Sequence, residues 1–251
     1  MNIYGRSGTG KTTLWSTFPG PILAAICSGG DKPGELRSID TPANRKKISQ
    51  VVIQQSGELR EVLSHVSVTR KYATVILDHA TGLQDLVLKE VLGLEQIPAQ
   101  KGWGLASQQQ YGQCTMQCKE LFRLLLGVDC NVVIVAQERE FNTDSESSLI
   151  APYVGAGLTP SLTGWLNTAV DYICQTFIRQ KEVEKVVSIN GKQLKRMERS
   201  DEVEYVLRTG PSAVYTTKFR TPRRAESQLP ALIIDPHYDK IIAAIRPNDR
   251  V

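Results

Sequence analysis

The feature that most constrains what this chain can fold into is a glycine-rich segment, Gly5-Arg6-Ser7-Gly8-Thr9-Gly10-Lys11-Thr12, which fits G-x-x-x-x-G-K-[ST] without a mismatch. It follows a short strand-like run, Asn2-Ile3-Tyr4, and precedes a helical pattern over residues 13–18. Glycines let backbone N–H groups turn inward around a phosphate, and the positive end of the next helix favours the same anion. The sequence therefore predicts a phosphate-binding loop. The expected nucleotide contacts are Gly5, Arg6, Ser7, Gly8, Thr9, Gly10, Lys11, Thr12 and Thr13.

Two side chains of this loop have predicted chemical roles. Lys11 reaches the β- and γ-phosphates of a nucleoside triphosphate, and Thr12 offers its hydroxyl to Mg²⁺. A second carboxylate must hold the metal through water, and we expect it at the end of an apolar strand next to the first strand. Asp78 meets this requirement because it ends the run Ala73-Thr74-Val75-Ile76-Leu77. Thr12 and Asp78 are the predicted metal-binding residues.

Apolar runs alternate with amphipathic helical patterns along the first 178 residues. Strand-like runs cover residues 22–27, 51–54, 73–78, 131–137 and 171–177. Between them, apolar residues recur with helical spacing at 59–66, 86–94 and 111–125. This alternation predicts an α/β fold with a mostly parallel central sheet flanked by helices.

After residue 178 the chain becomes charged and alternating. Asn190-Gly191 is a hairpin-turn signal, and further strand-like runs lie at 204–208 and 213–220. We expect an antiparallel hairpin extension over about 179–225, within a single domain that spans residues 1–251. From Arg179 to Glu226 there are 12 basic and 7 acidic residues, so this is where contact with a polyanion is expected.

Composition excludes several classes of protein. A chain of 251 residues that is 41% hydrophobic can bury a sizeable core, which excludes a disordered or fibrous protein. The five cysteines include Cys114 and Cys118, four apart on one helical face without a second ligand pair, so we expect packing and not a metal site. No window approaches about 18 uninterrupted apolar residues. We expect a soluble protein of a reducing cytoplasm, without membrane contact.

Three polar residues are candidates for contact with the γ-phosphate or with the attacking water. Asp31 and Glu35 follow the second strand-like run, which we expect beside the first strand. Gln137 closes the run at 131–137, and the carboxyl end of a sheet strand points into the ligand crevice. The polar stretch from Glu138 to Gly164 is long and is predicted to be a mobile, functional loop.

With these residues assembled, the chain resembles the RecA-type recombinase ATPases, most closely the small phage-encoded RecA-core ATPases of single-strand annealing recombination. The resemblance spans nearly the whole chain and is carried by residues 4–14, by Thr17-Phe18-Pro19-Gly20-Pro21, and by residues 74–83. It implies a RecA-like P-loop NTPase fold with ATP and Mg²⁺ as cofactors. It also implies the host cytoplasm as location if the chain is phage-encoded.

The resemblance further implies individual roles. The spacing from Lys11 to Glu35 is similar to that between the family's loop lysine and its catalytic glutamate, which favours Glu35 over Asp31. Gln137 resembles the family's nucleotide sensor, and the segment after it stands where two loops hold single-stranded DNA. Lys218 and Arg220, followed by Pro222, resemble paired cations that reach a neighbouring subunit's γ-phosphate. A homo-oligomer with ATP at its subunit interfaces is therefore implied.

Single-stranded DNA is the expected partner, with a single-stranded-DNA-binding protein as a further one. Such binding needs cations and stacking platforms, although core packing and solvated charge are competing interpretations for these residue types. The candidates are Arg139, Phe141, Tyr153 and Trp165 near the loop, and Lys192, Lys195, Arg196 and Arg199 beside the hairpin turn. Two alternatives stay open: a hexameric helicase-type motor, whose class generally carries an extra N-terminal domain, and a nucleotide-switched adaptor that does not act on DNA.

Overall fold

The computed structural model describes residues 1–27, 36–94, 106–142, 152–189, 192–221 and 229–245, with the side chains of 186–195 outside this description. The strands are β1 (Asn2–Gly5), β2 (Ile22–Ile26), β3 (Ile48–Val52), β4 (Thr74–Asp78), β5 (Asn131–Phe141), β6 (Tyr153–Ala156), β7 (Tyr172–Ile189), β8 (Lys192–Arg208), β9 (Lys218–Phe219) and β10 (Leu232–Ile234). The helices are α1 (Lys11–Ser16), α2 (Pro42–Lys47), α3 (Ser56–Thr69), α4 (Ala80–Val91), α5 (Gln108–Leu126), α6 (Pro160–Ala169) and α7 (Tyr238–Ile245), with a 3₁₀ turn at Arg37–Ile39.

The described strands form one mixed sheet in the order β10-β8-β7-β1-β5-β4-β2-β3, with β6 paired to β5 and β9 paired to β7. The six strands from β7 to β3 are parallel. Strands β8 and β10 add to the sheet antiparallel, next to β7. The predicted fold class, a mostly parallel sheet flanked by helices with an antiparallel C-terminal extension, is confirmed.

Helices cover both faces of the sheet, as the apolar strands require. Strand β4 is buried along its whole length, which is typical of a parallel strand with helices on either side. One face packs against α3 to α6 around residues such as Leu83 and Phe122. The other packs against α1 and α7 around Trp15 and Ile241. No helix within the described ranges combines the length and the apolar character that crossing a bilayer requires.

The order of the strands differs from the expectation in one respect. We expected the Asp78 strand, and also the strand before Asp31 and Glu35, to lie beside β1. Instead β5 lies between β1 and β4, and β2 is a further strand away. Parallel strands joined by crossover helices need not be neighbours in sequence order, so the spacing of motifs along the chain could not settle their order in space.

The stretch after Gln137 is more regular than expected. We expected a mobile loop from Glu138 to Gly164, but β5 continues to Phe141, pairs antiparallel with β6, and is followed by α6. Rings of Phe141 and Tyr153 stack at 4.9 Å across this pair, which stabilises the hairpin. Residues 143–151 lie outside the description.

Three other strand predictions are corrected in length or position. The run at 171–177 continues to Ile189, where it pairs with Lys192 across the predicted turn, and residues 190 and 191 themselves lie outside the description. The run at 213–220 is a strand only at β9, while Tyr215 makes an isolated bridge with Val154. Strand β3 begins at Ile48, three residues before the predicted start at residue 51.

Strands β7 and β8 form a long hairpin, here called the arm (residues 172–208), whose charges partly pair with one another. Arg179 bonds to Glu204, the Lys181 Nζ lies 3.0 Å from the Glu202 carboxylate, and the Lys185 Nζ lies 2.6 Å from Glu198. The two lysine pairs are solvent-exposed and contribute little to stability, because water and salt screen them. These ion pairs nevertheless involve basic residues that we expected, from the charge count, to contact a polyanion.

Gly82, in the first turn of α4, is expected to be one of the least replaceable residues of the fold. A Cβ added there would lie 1.7 Å from the Cys27 carbonyl oxygen. Gly82→Ala should therefore lower the free energy of unfolding by about 3 kcal/mol, at the upper end for overpacking. Gly112 in α5 is the matched control, since an added Cβ meets nothing within 4 Å, and Gly112→Ala should stabilise by about 0.5–1 kcal/mol. Denaturant unfolding measures both, and equal stabilities would contradict this packing.

Candidate nucleotide-binding site

The glycine-rich loop joins β1 to α1 and adopts backbone geometry that favours glycine. Gly8 and Gly10 have φ of 80° and 85°, in the left-handed region where a side chain is disfavoured. A Cβ on Gly5 would lie 2.4 Å from the Thr176 carbonyl oxygen, so the loop rests directly on β7. The Thr9 hydroxyl lies 2.8 Å from the Thr176 hydroxyl and donates to the Arg6 carbonyl oxygen at 2.8 Å. These contacts fix the position of the loop relative to β7.

Lys11 lies at the centre of this loop. Its Nζ donates to the carbonyl oxygens of Gly5 (2.8 Å) and Arg6 (2.6 Å), and the residue is only 8% exposed. Burial lowers the pKa of Lys11, while the nearby carboxylates of Asp78 and Glu138 raise it. A partly desolvated ammonium group bonded only to neutral carbonyls is well placed to bind an anion in the loop.

Asp78 ends β4 and is 5% exposed. Its Oδ2 accepts a hydrogen bond from the indole Nε1 of Trp15 at 2.8 Å. Burial raises the pKa of Asp78, and the Trp15 hydrogen bond opposes that rise. Trp15 therefore fixes one carboxylate oxygen and leaves the other for a ligand. Sequence reasoning missed Trp15, because an apolar position in a short helix is ordinarily assigned to the core.

Thr12 and Asp78 line the same cavity and offer oxygen atoms of the kind that Mg²⁺ prefers. Magnesium is commonly held by one or two carboxylates together with substrate phosphates and water. A hydroxyl and a fixed carboxylate beside a phosphate-binding loop fit this requirement.

The cavity above the loop measures about 690 Å³, within the range of about 300–1,000 Å³ for small-molecule sites. Beside the loop it has two other walls, one formed by strand ends and one by the C-terminal part of the chain. Its lining residues are Ser7, Gly8, Thr9, Gly10, Lys11, Thr12, Thr13, Leu14, Thr17, Ser38, Asp78, His79, Gln137, Tyr205, Asp235, Pro236 and His237.

Gln137 lies level with Gly5 in the β1–β5 pair and lines this cavity. Its backbone N–H donates to the Thr81 hydroxyl at 3.3 Å. Because strand side chains alternate between faces, the next residue, Glu138, belongs to the other face. There its carboxylate accepts from Arg6 Nε at 3.1 Å and from Gln175 Nε2 at 2.8 Å. The end of β5 thus contacts both the nucleotide cavity and the loop's own Arg6.

The structure does not bring Lys218 and Arg220 to the loop of their own chain. Lys218 is level with Ile173 and hence with Asn2, at the end of β1 away from the loop. Its Nζ donates to the carbonyl oxygens of Asn167 and Val170, both at 2.7 Å, at the C-terminal end of α6. Arg220 pairs with Asp171 at 2.9 Å. A role for the two cations in a neighbour's site stays a prediction. Asp31 and Glu35 lie outside the described residues.

Some of the residues expected to contact DNA pack against other residues of the same chain. Phe141 is buried, with the Arg139 guanidinium 5.4 Å from its ring. Trp165 stacks on Phe122 at 6.4 Å, beneath the Arg123 guanidinium. Arg196 and Arg199 are exposed, and the side chains of Lys192 and Lys195 lie outside the description. Trp165 is therefore better explained by packing than by stacking on a base.

Comparison with known proteins adds a family match. A family model described as an AAA domain matches residues 1–221. No curated protein matches the chain. Among solved structures, the chain is similar to the RadB recombinase, with 14% identity over 82% of this chain and 84% of that one and a TM-score of 0.40. It is also similar to an ATPase from the type III secretion system of pathogenic bacteria, with 12% identity over 69% of this chain and 50% of that one and a TM-score of 0.45. A third is a KaiC-like protein from the hyperthermophilic archaeon Pyrococcus horikoshii OT3, with 12% identity over 82% of this chain and 84% of that one and a TM-score of 0.42.

Proposed function

Because the chain belongs to the AAA domain family of P-loop ATPases, we propose that it is an ATP- and Mg²⁺-dependent recombination ATPase that binds single-stranded DNA. The observation that carries the proposal is the convergence of Lys11, Asp78 and Gln137 on one cavity at the start of α1. A loop cation, a fixed carboxylate and a strand-end amide are the groups that phosphoryl transfer requires around a triphosphate.

Each of these groups has a defined task in hydrolysis. Lys11 leaves its two carbonyl acceptors to bind the β- and γ-phosphates, where it stabilises charge that develops on the transferred group. Thr12 and Asp78 would hold Mg²⁺, and the bound ion would neutralise part of the phosphate charge. Gln137 lies beside the position of the γ-phosphate and orients it or the attacking water. Glu35 is the proposed base that takes the proton from water, with Asp31 as the alternative.

The proposal includes a homo-oligomer in which ATP is shared between subunits. Lys218 and Arg220 lie at the end of the sheet away from their own loop, so the γ-phosphate that we propose they contact is that of another molecule. In the proposed assembly they leave the C-terminal end of α6 and contact the neighbour's γ-phosphate.

The proposed DNA-binding element is the β5–β6 hairpin. It continues directly from Gln137, and it carries Arg139 next to the stacked rings of Phe141 and Tyr153. A strand that touches nucleotide at one point and DNA a few residues later would couple hydrolysis to DNA affinity. A single-stranded-DNA-binding protein is the proposed further partner.

The test is ATP turnover with and without single-stranded DNA across a salt series. We expect DNA to stimulate turnover, and the stimulation to fall steeply as salt rises because phosphate contacts release counterions. Two results together would contradict DNA binding: ATP turnover that is the same with and without DNA, and no salt-sensitive binding of oligonucleotides. They would favour the nucleotide-switched adaptor.

Mixing of two inactive variants extends the same assay to the shared site. Lys11→Ala and the Lys218→Ala/Arg220→Ala double variant should each be inactive, and a mixture should regain turnover at interfaces that combine an intact Lys11 with intact cations. Arg60→Ala is a control, because Arg60 pairs with Glu120 away from the loop. If mixing restores nothing while the double variant still folds, the cations act only as a cap for α6.

A further inference from the structure

We propose that Tyr205 of the arm, together with the Asp235–His237 segment, forms the binding site for the nucleobase of the triphosphate. The inference rests on the proposed function, since it requires the phosphates to bind at Lys11. It adds a specificity site built from parts of the chain distant in sequence from the loop.

The first observation is the shape of the cavity. It extends past the loop and past Thr17 to a wall formed by Tyr205, Asp235, Pro236 and His237. The phosphates occupy the part at the start of α1. The remaining volume therefore lies where the nucleoside of a bound triphosphate must project.

Tyr205 lies directly beside the loop. A Cβ added to Gly10 would be 3.1 Å from Cδ1 of the Tyr205 ring, so the ring packs directly against a residue that carries no side chain. The residue is nevertheless 43% exposed. A tyrosine ring with one side against the backbone and another open to a cavity is a platform on which a base can stack.

The Asp235–His237 part of this wall is held in a fixed shape. The Asp235 N–H donates to the Tyr205 carbonyl oxygen at 2.8 Å, and Lys240 Nζ donates to the Ile234 and Asp235 carbonyl oxygens at 2.8 and 2.9 Å. Asp235 adopts φ of 47°, a left-handed conformation that aspartate tolerates better than most residues. These bonds preorganise the segment.

The residue that follows this segment, Tyr238, contacts the end of α1. The Tyr238 N–H donates to the Thr17 hydroxyl at 2.9 Å, and the Tyr238 ring lies 4.9 Å from that of Phe18. Both contacts lie just after α1. The Asp235–His237 segment is therefore held at a constant distance from the loop, and recognition of a rigid base requires such a fixed geometry.

The experiment compares the affinities of Mg·ATP and of Mg·tripolyphosphate, which lacks base and sugar, for the wild type and two Tyr205 variants. Tyr205→Ala should weaken ATP about tenfold or more, the usual loss when an aromatic platform is removed, and should leave tripolyphosphate unchanged. Tyr205→Phe keeps the ring and should bind ATP like the wild type. Val203→Ala is the matched control, because Val203 is 57% exposed on the same face of β8 but does not line the cavity.

Three results would overturn the assignment. Unchanged ATP affinity in Tyr205→Ala shows that the base lies elsewhere, even though the phosphates bind. Equal losses for ATP and tripolyphosphate show that the ring supports the loop and does not contact the base. If neither ligand binds the wild type, the proposed function itself fails, and the base site fails with it.

Discussion

Lys11→Ala is expected to abolish ATP turnover, with a loss of at least about 10²–10³-fold, the usual effect of removing one preorganised donor to a developing charge. In the structure Lys11 Nζ is bonded to two loop carbonyl oxygens, at 2.8 Å from that of Gly5 and 2.6 Å from that of Arg6. Burial has already removed part of its hydration, so its attraction to phosphate is strong. Turnover under saturating Mg·ATP measures the effect.

Lys47→Ala is the control for this variant. Lys47 Nζ donates to the Ser16 carbonyl oxygen at 2.9 Å, at the end of α1, so the change removes the same charge beside the same helix but outside the cavity. Both variants should have a free energy of unfolding close to that of the wild type. If Lys11→Ala retained hydrolysis while Lys47→Ala lost it, the assignment of the loop would be wrong.

Asp78→Asn is expected to weaken Mg²⁺ by about 10–100-fold, the range seen when residues that support a metal are replaced. The amide oxygen of asparagine can still accept the Trp15 hydrogen bond of 2.8 Å, so the change removes charge with little change of shape. Because burial raises the pKa of Asp78 in the folded chain, the folded state binds this proton more tightly than the unfolded state does. Ionisation therefore costs stability as the pH rises through the raised pKa, and Asp78→Asn should be at least as stable as the wild type at neutral pH.

The pH dependence of Mg²⁺ binding distinguishes a metal-binding carboxylate from a merely buried one. The affinity of the wild type should fall as the pH is lowered through the raised pKa of Asp78, above the ordinary range for aspartate, and the variant should not show this fall. Asp85→Asn is the matched control, because burial also raises the pKa of Asp85, to about 6, but Asp85 does not line the cavity. Equal Mg²⁺ affinities of Asp78→Asn and the wild type would contradict the metal site.

The parts of the site that could be predicted from the sequence are those set by local chain geometry. The loop is contiguous, and its glycines and lysine act through the turn that they themselves form. Asp78 and Gln137 follow from one rule, that polar residues at the carboxyl ends of parallel strands face the crevice. That rule correctly predicts that both residues lie at the cavity, although the prediction that β4 lies next to β1 is wrong.

The parts that could not be predicted depend on register and strand order. Tyr205 reaches Gly10 only because β8 pairs with β7 in a register that places it beyond the end of β1. The Asp235–His237 wall depends on β10 adding to β8 at the sheet edge. Similarly, no local pattern indicates that the Trp15 indole bonds to Asp78, 63 residues later.

The number of basic residues in the arm does not by itself predict how many of them are free to bind a polyanion. A count of basic residues from 179 to 226 predicts polyanion contact. The count does not reveal that Arg179, Lys181 and Lys185 each pair with a carboxylate on the facing strand. Cross-strand pairing neutralises that part of the arm.

The central claim is that a triphosphate binds at the start of α1 and is contacted by the end of β5. The most direct test is a crystal structure with Mg²⁺ and a non-hydrolysable ATP analogue. We expect the Lys11 Nζ to leave the Gly5 carbonyl oxygen, now 2.8 Å away, and to bond to the β- and γ-phosphates, with the Gln137 side chain next to the γ-phosphate. An analogue bound elsewhere, with Lys11 still bonded to the loop carbonyls, would contradict the account.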